Sequence, residues 1–175
     1  MKYPLGIVQT YYESPMGQMR LASFQDKLMG LWFVGQKHEP IAEDWPFNDE
    51  ATVFESIKKQ LDNYFAGKMI GIDEYNWMQE ISWPKATQFE QIVWQQLLSI
   101  PKGHTVSYSD LAIQIGRPKA TRAVAAAIGK NPISIIVPCH RVVGKNGALT
   151  GYAGGLERKK ALLLLEQQRS HKALE

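Results

Sequence analysis

Short apolar runs near the start of the chain predict a small antiparallel sheet. Residues 5–12, 18–24 and 28–34 are rich in apolar and β-prone side chains, and the turn-forming segments 15–17 and 25–27 separate them. Short runs separated by such turns are typical of a β-meander. The pattern therefore predicts three successive antiparallel strands.

The next stretch predicts a helix. Six apolar side chains recur at helical spacing between residues 51 and 66, and Gly67 ends the pattern. These residues are Val53, Phe54, Ile57, Leu61, Tyr64 and Phe65. Residues 70–83 indicate another strand or an extended linker. No cluster of polar residues suited to chemistry occurs in this α+β unit, so we interpret residues 1–83 as a supporting domain.

From Thr87 onward the pattern turns helical. One helix, predicted to end at 101–103, has apolar residues at helical spacing: Phe89, Ile92, Val93 and Leu97. Two shorter helices follow at 108–115 and 119–129, and a Gly-Arg-Pro turn joins them. Such a pair is a helix-turn-helix candidate. The chain is thus predicted to be an α+β protein whose second domain, residues 84–175, is mostly helical.

Charge is distributed unevenly between the two halves. Residues 1–80 contain 7 Lys and Arg against 12 Asp and Glu, a balance of −5, whereas residues 81–175 contain 13 against 5, a balance of +8. A basic half joined to an acidic half indicates contact with a polyanion. An ordinary solvated surface with unevenly placed charges is the alternative. No segment is typical of a signal peptide or a membrane span, so we expect a cytoplasmic protein without membrane contact.

The second helix of the predicted pair carries few large side chains. Arg122 is the one long side chain near its start, and small residues leave the rest nearly bare: Ala120, Ala123, Ala125, Ala126, Ala127 and Gly129. Packing against a neighbouring helix would explain this composition. In a nucleic-acid groove, the same smooth surface would permit close approach while the arginine entered the base stack.

The single cysteine lies in "IIVPCHRVVG", residues 135–144. The β-branched run before it predicts a strand that ends at Cys139. His140 offers a base for the thiol proton, and Glu166 is the candidate that would orient His140. Successive side chains of a strand face opposite sides, so contact between Cys139 and His140 requires a turn or a bridging water. A small buried thiol without chemistry is the alternative.

The cysteine segment and its flanks resemble one protein family. "NPISIIVPCHRVVGKNGALTGYAGGLERK" resembles the active-site signature of the O6-alkylguanine-DNA alkyltransferases, or methylated-DNA–protein-cysteine methyltransferases. The resemblance covers residues 87–167 almost without gaps. Residues 1–80 resemble the family's N-terminal domain only loosely, mainly through "YESPMGQMRLA". The resemblance implies a ribonuclease-H-like N-terminal domain and a DNA-binding C-terminal domain with a helix-turn-helix.

The resemblance also implies a role for each matching position. Cys139 would accept the alkyl group, activated by His140 and Glu166 through a water, and Tyr108 would donate a hydrogen bond to N3 of the flipped guanine. The base pocket would further comprise the hinge residue Asn131, Val142, Tyr152 and Ala153. Arg122 would replace the extruded nucleotide. Its helix would contact DNA through Ala123, Ala126, Ala127, Gly129 and Lys130.

The implied reaction is DNA repair by irreversible alkyl transfer. The protein would flip O6-alkylguanine, and less readily O4-alkylthymine, out of double-stranded DNA and bind its alkyl group as a thioether. Nothing in the sequence indicates how the thioether would be hydrolysed, so each molecule would act once. No cofactor is implied, and we expect a monomer. Because the N-terminal half contains His38 as its one histidine and no cysteine, the zinc site of some family members is predicted to be absent.

Two other functions remain open from the residues alone. A lesion-binding protein without chemistry would resemble this chain but lack the acceptor cysteine, whereas Cys139 stands here in an intact Pro-Cys-His-Arg sequence. A Cys-His hydrolase such as a thiol protease would need an oxyanion hole. It would also leave the bare, arginine-bearing helix unexplained.

Overall fold

The computed structural model describes residues 3–68 and 76–170, apart from the side chains of residues 168–170. The chain divides into two compact units. The first comprises Met1–Lys85 with Pro132–Ser134, and the second comprises Ala86–Asn131 with Ile135–Glu175.

The first unit is built on a three-stranded antiparallel sheet. Strands β1 (Val8–Ser14), β2 (Gly17–Phe24) and β3 (Lys27–Phe33) lie in the order β1-β2-β3. The predicted meander is therefore confirmed. Strand β1 begins later than the pattern predicts because Gly6, with a φ of +88°, forms a turn. Glycine adopts this backbone conformation without strain.

Helix α1 (Thr52–Ala66) packs against all three strands of the sheet. Four of its predicted apolar residues are buried, whereas Val53 and Phe65 are half-buried; the buried ones are Phe54, Ile57, Leu61 and Tyr64. The helix ends at Gly67, which has a φ of +72° and donates its N–H to the carbonyls at the end of the helix. A glycine in this left-handed conformation is a common helix terminator.

The prediction of a strand or extended linker over residues 70–83 is wrong for residues 77–80, whereas Ile81 is extended and bridges a strand. Residues 69–75 lie outside the described part of the chain. Trp77–Glu80 form a single helical turn, α2, closed by the N–H of Ile81 on the carbonyl of Trp77. The Trp77 side chain is buried, and Ile81 makes one parallel bridge to Leu28.

The second unit is mostly helical. Its helices are α3 (Gln88–Leu97), α4 (Tyr108–Gln114), α5 (Thr121–Gly129) and α6 (Leu156–Ser170). Helix α5 packs against α3 and α4, and a short parallel pair joins β4 (Val106–Ser107) to β5 (Val142–Val143). The predicted fold class is confirmed: an α+β chain with a small N-terminal sheet and a helical C-terminal half. In the described residues, we find no helix with both the length and the apolar character that a membrane crossing requires.

Helix α3 shows where helical spacing alone misjudges the buried face. It begins with a capping box, in which the Thr87 hydroxyl accepts from the Glu90 N–H and the Glu90 carboxylate accepts from the Thr87 N–H. Ile92, which the pattern placed among the apolar positions, is 39% exposed. Trp94 is buried in its place, and its indole N–H donates to the Ala127 carbonyl at 2.8 Å, which is the acceptor that a buried indole needs.

Candidate active site

The reactive segment folds as a turn, so the prediction of a strand ending at Cys139 is wrong. Cys139–Arg141 form one turn of 3₁₀ helix. The Cys139 N–H and the Asn131 side-chain amide both donate to the Val137 carbonyl, each at 2.8 Å. The backbone next to Cys139 is therefore satisfied locally, whereas at the start of the buried run the Ser134 N–H donates to the Leu31 carbonyl of β3 at 2.8 Å. The alternation of a strand does not separate Cys139 from His140.

The thiol is buried and accepts a hydrogen bond from a side-chain amide. Cys139 is 5% exposed, and Asn131 Nδ2 donates to its Sγ at 3.1 Å. Burial raises the pKa of the Cys139 thiol above its ordinary value, and the Asn131 hydrogen bond and the charge of Lys159 offset part of that rise. The resting thiol is therefore protonated at neutral pH. It needs a base before it can act as a nucleophile.

His140 and Glu166 form a fully buried pair. His140 Nε2 lies 2.7 Å from Glu166 Oε1, and both side chains are 0% exposed. Burial alone would raise the pKa of Glu166, but the hydrogen bonds from His140 and Arg141, together with the positive charge of Arg141, outweigh it and lower that pKa below its ordinary value. The ionised carboxylate can only accept, so Nε2 carries the donated proton. His140 Nδ1, buried and without a hydrogen-bond partner among the described residues, is left to accept one.

Arg141 belongs to the same cluster, although the sequence assigned it no role. Its Nε donates to Glu166 Oε2 at 3.0 Å and its Nη2 to Oε1 at 3.0 Å. Its Nη1 donates to the Ile100 carbonyl at 2.6 Å. The guanidinium thus binds the carboxylate at two points, the geometry that a planar fork favours. Its place in the Pro-Cys-His-Arg sequence was the available signal.

Lys159 is a second residue that the sequence did not single out. Its Nζ donates to the Thr150 carbonyl at 2.8 Å and to the Gly151 carbonyl at 3.2 Å. The Tyr108 hydroxyl donates to the same Thr150 carbonyl at 3.0 Å. Burial lowers the pKa of Lys159 to about 8, against the opposing effect of Cys139. Burial also raises the pKa of Tyr108 above its ordinary value. The two side chains hold one glycine-rich loop.

A sequence signal for Lys159 does exist on helix α6. Lys159, Leu162, Leu163 and Glu166 are all buried and stand at positions i, i+3, i+4 and i+7. These positions form the core-facing stripe of an amphipathic helix. Two charged residues within such a stripe indicate buried polar partners, and here the partners are loop carbonyls and the Cys139 turn.

The predicted DNA-contacting residues lie on or just after helix α5. Arg122, Ala123 and Ala126 are exposed, Gly129 is half-buried, and the exposed Lys130 lies 3.3 Å from a Glu90 carboxylate oxygen. Ala127 is 4% exposed. Its carbonyl accepts the indole N–H of the buried Trp94, and its role as a DNA contact stays a prediction.

The predicted base-pocket residues differ in burial. Asn131 and Val142 are buried, whereas Tyr152 and Ala153 are half-buried. Val142 pairs with Val106 in the short parallel sheet. Across the ranges that the structure describes, no three His, Cys, Asp or Glu side chains come together as a metal site would require.

Comparison with known proteins identifies the family. Residues 88–168 match the DNA-binding domain of 6-O-methylguanine DNA methyltransferase, and residues 7–74 match its ribonuclease-like domain. The methylated-DNA–protein-cysteine methyltransferase of Mycobacterium tuberculosis is 45% identical over 158 residues, which cover 90% of this chain and 91% of that protein. The protein of the same name from Methanosarcina acetivorans is 44% identical over 156 residues, 89% and 95% of the two chains.

A solved structure gives the same result. The crystal structure of Mycobacterium tuberculosis OGT in complex with DNA superimposes on this chain with a TM-score of 0.81 and a sequence identity of 44%. The match covers 91% of this chain and 92% of that one. The family's two domain types therefore occur here in order, with the Cys139 turn and its buried histidine–glutamate pair inside the second. The chain belongs to the methylated-DNA–protein-cysteine methyltransferase family.

Proposed function

We propose that this protein repairs DNA by moving the alkyl group of O6-alkylguanine, and less readily of O4-alkylthymine, onto Cys139. The observation that carries the proposal is the buried contact, 2.7 Å long, between Glu166 of α6 and His140, which lies in the same turn as the single thiol. A buried thiol with a raised pKa gains reactivity only if a neighbouring base takes its proton. Nδ1 of His140 is the atom available for that proton, through a water.

The transfer itself is a nucleophilic substitution at the alkyl carbon. The Cys139 thiolate forms a carbon–sulfur bond while the carbon–oxygen bond to O6 breaks, and the electron pair stays with the guanine. Asn131 Nδ2, 3.1 Å from Sγ, stabilises the thiolate. Tyr108 would exchange its hydrogen bond to the Thr150 carbonyl for one to N3 of the guanine and so ease its departure.

Different parts of the second unit would bind the extruded base and the DNA duplex. Asn131, Val142, Tyr152 and Ala153 would surround the extruded base. The exposed side of helix α5, with Arg122, would enter the groove, because small residues at Ala123 and Ala126 leave room for the DNA backbone. Extrusion is required because a base inside a duplex is out of reach of a thiol. We assign support to residues 1–83 and the reaction to residues 84–175.

The thioether product makes the protein single-use. The carbon–sulfur bond formed with Cys139 is hardly polarised. A water molecule activated by His140 alone would not hydrolyse it. Each molecule would therefore repair one lesion, acting as a monomer. The cytoplasmic location stays a prediction.

The decisive experiment uses a DNA duplex that contains one O6-methylguanine. After incubation with the protein, peptide mass spectrometry is expected to find one methyl group on Cys139 and unmodified guanine in the duplex. Tight binding without methylation would instead indicate a lesion sensor. If the protein neither binds the duplex nor becomes methylated, that result would contradict the proposal altogether.

Binding to DNA is expected to depend on salt and hardly on sequence. The balance of +8 in residues 81–175 favours contacts with phosphates, which release counterions and carry no sequence information. We expect the affinity for undamaged duplexes to fall about tenfold or more between about 50 mM and 200 mM salt. Fluorescence anisotropy with two duplexes of equal length and different sequence measures both effects. An affinity that salt does not change would contradict groove binding through α5.

A further inference from the structure

Arg141 places a permanent positive charge against the Glu166 carboxylate that orients the His140 ring. Glu166 Oε1 is shared by His140 Nε2 at 2.7 Å and Arg141 Nη2 at 3.0 Å, and Oε2 accepts from Arg141 Nε at 3.0 Å. The Arg141 residue is 1% exposed, and both partners are 0% exposed. Such a cluster is screened little by solvent, so its net charge decides which protonation state is stable.

The charge balance depends on Arg141. Arginine stays protonated at any pH at which the protein is folded, and it neutralises the Glu166 carboxylate. With a neutral His140 and a protonated Cys139, the four groups carry no net charge. Moving the thiol proton to His140 leaves the sum at zero, because the imidazolium is balanced by the thiolate. The proton transfer is then internal to the site.

Without the guanidinium, the same site behaves differently. A buried carboxylate with no other cation is balanced most simply by a protonated imidazole. His140 would then hold its proton at rest and have no capacity for the proton of Cys139. Forming the thiolate would require a proton to leave the site for solvent.

We propose that Arg141 is a positioning residue that balances the charge of Glu166, so that His140 stays neutral at rest and accepts the proton of Cys139. This inference rests on the proposed function, since it concerns how the thiol of the alkyl-transfer site is activated. The two-point contact also fixes the carboxylate against the His140 ring, and Nη1 ties the cluster to the Ile100 carbonyl at 2.6 Å.

The other ionisable groups near the described cluster set the pH range of the test. Glu166 and Lys159 approach from α6, Cys139 and Arg141 belong to the turn of His140, and the Tyr108 ring lies 5.9 Å from Lys159 Nζ. The pKa of Lys159 is lowered to about 8 by burial, and the pKa of Tyr108 is raised by burial. Below pH 7.5 Lys159 stays mostly protonated and Tyr108 neutral. A pH dependence measured there therefore reports on the thiol–imidazole proton.

The test compares the wild type with Arg141→Gln and Arg141→Lys. Single-turnover transfer from free O6-benzylguanine to Cys139 is followed by mass spectrometry between about pH 6.0 and 7.5. In the wild type and in Arg141→Lys, which keeps the charge, the rate is expected to change less than about threefold over this range. In Arg141→Gln it is expected to rise about thirtyfold with pH, since each unit is a factor of ten when a proton must be released.

Each outcome bears on a different claim. A wild type that gains no benzyl group on Cys139 would overturn the proposed function itself. A benzylated wild type together with an equally flat profile for Arg141→Gln would overturn only the role of Arg141. A uniform loss of rate in both variants, without a change of slope, would show that the guanidinium is purely structural.

A measurement on the wild type covers the case in which Arg141→Gln does not fold. Nitrogen chemical shifts of the His140 ring at pH 7 distinguish imidazole from imidazolium. A neutral ring protonated at Nε2 is expected. An imidazolium in the resting protein would contradict the charge balance described above.

Discussion

Cys139→Ser is expected to abolish alkyl transfer while leaving the fold and DNA binding intact. A serine hydroxyl is nearly isosteric with the thiol and still accepts the Asn131 amide, which lies 3.1 Å from Sγ in the native site. It is nevertheless a far weaker nucleophile, because the single neighbouring imidazole removes a hydroxyl proton much less readily than a thiol proton. No methyl group should appear on the variant after incubation with a duplex that contains O6-methylguanine.

Binding and unfolding measurements make the result interpretable. The variant should bind the lesion-containing duplex with an affinity within about threefold of the wild type, since the exposed face of α5 is unchanged. Its thermal unfolding should be similar as well, because the change removes no buried methylene group. A variant that neither binds DNA nor unfolds cooperatively would mean that the thiol is structural.

The sequence predicted the sheet and helix of the first unit because their signals are local. Turn residues separate the three strands, and Gly67, with a φ of +72°, ends α1 where the apolar pattern stops. The run before Cys139 misled the prediction for the converse reason. Its β-branched residues favour a strand, yet Ile135 has a φ of +71°, which such residues rarely adopt. Ile135 is fully buried there, and the Asn131 side chain holds the following Val137 carbonyl at 2.8 Å.

The sequence predicted the site residues whose positions match the family's active-site signature. The sequence proposed Cys139, His140 and Glu166, and the structure brings His140 and Glu166 to 2.7 Å across 26 positions of the chain. Arg141 and Lys159 were missed because a charged side chain is normally read as solvent-facing. Their burial depends on acceptors remote in sequence, namely the Glu166 carboxylate and the loop carbonyls. The number of charged residues in the sequence does not reveal these acceptors.

Arg122→Ala is expected to slow transfer from duplex DNA about thirtyfold while leaving transfer from the free base nearly unchanged. Unstacking a nucleotide costs a few kcal/mol, and Arg122, exposed near the start of α5, would offset about 2 kcal/mol of that cost by filling the gap. A loss of this size corresponds to about thirtyfold in rate. Free O6-benzylguanine needs no extrusion, so its reaction should depend on the Cys139 site alone.

Single-turnover rates at saturating DNA, compared with rates on free O6-benzylguanine, measure this difference. Arg117→Ala is the matched control, because it removes one exposed arginine from the turn between α4 and α5 without removing the finger. It should weaken DNA binding at moderate salt but leave the saturated rate within about twofold of the wild type, since an exposed positive charge acts on affinity through the phosphates and not on the extruded base. Arg122→Lys should recover only part of the loss, because an ammonium lacks the flat guanidinium that stacks on bases. Equal losses on both substrates for Arg122→Ala would show that this residue shapes the pocket or the fold, and that the flipped base is replaced by something else.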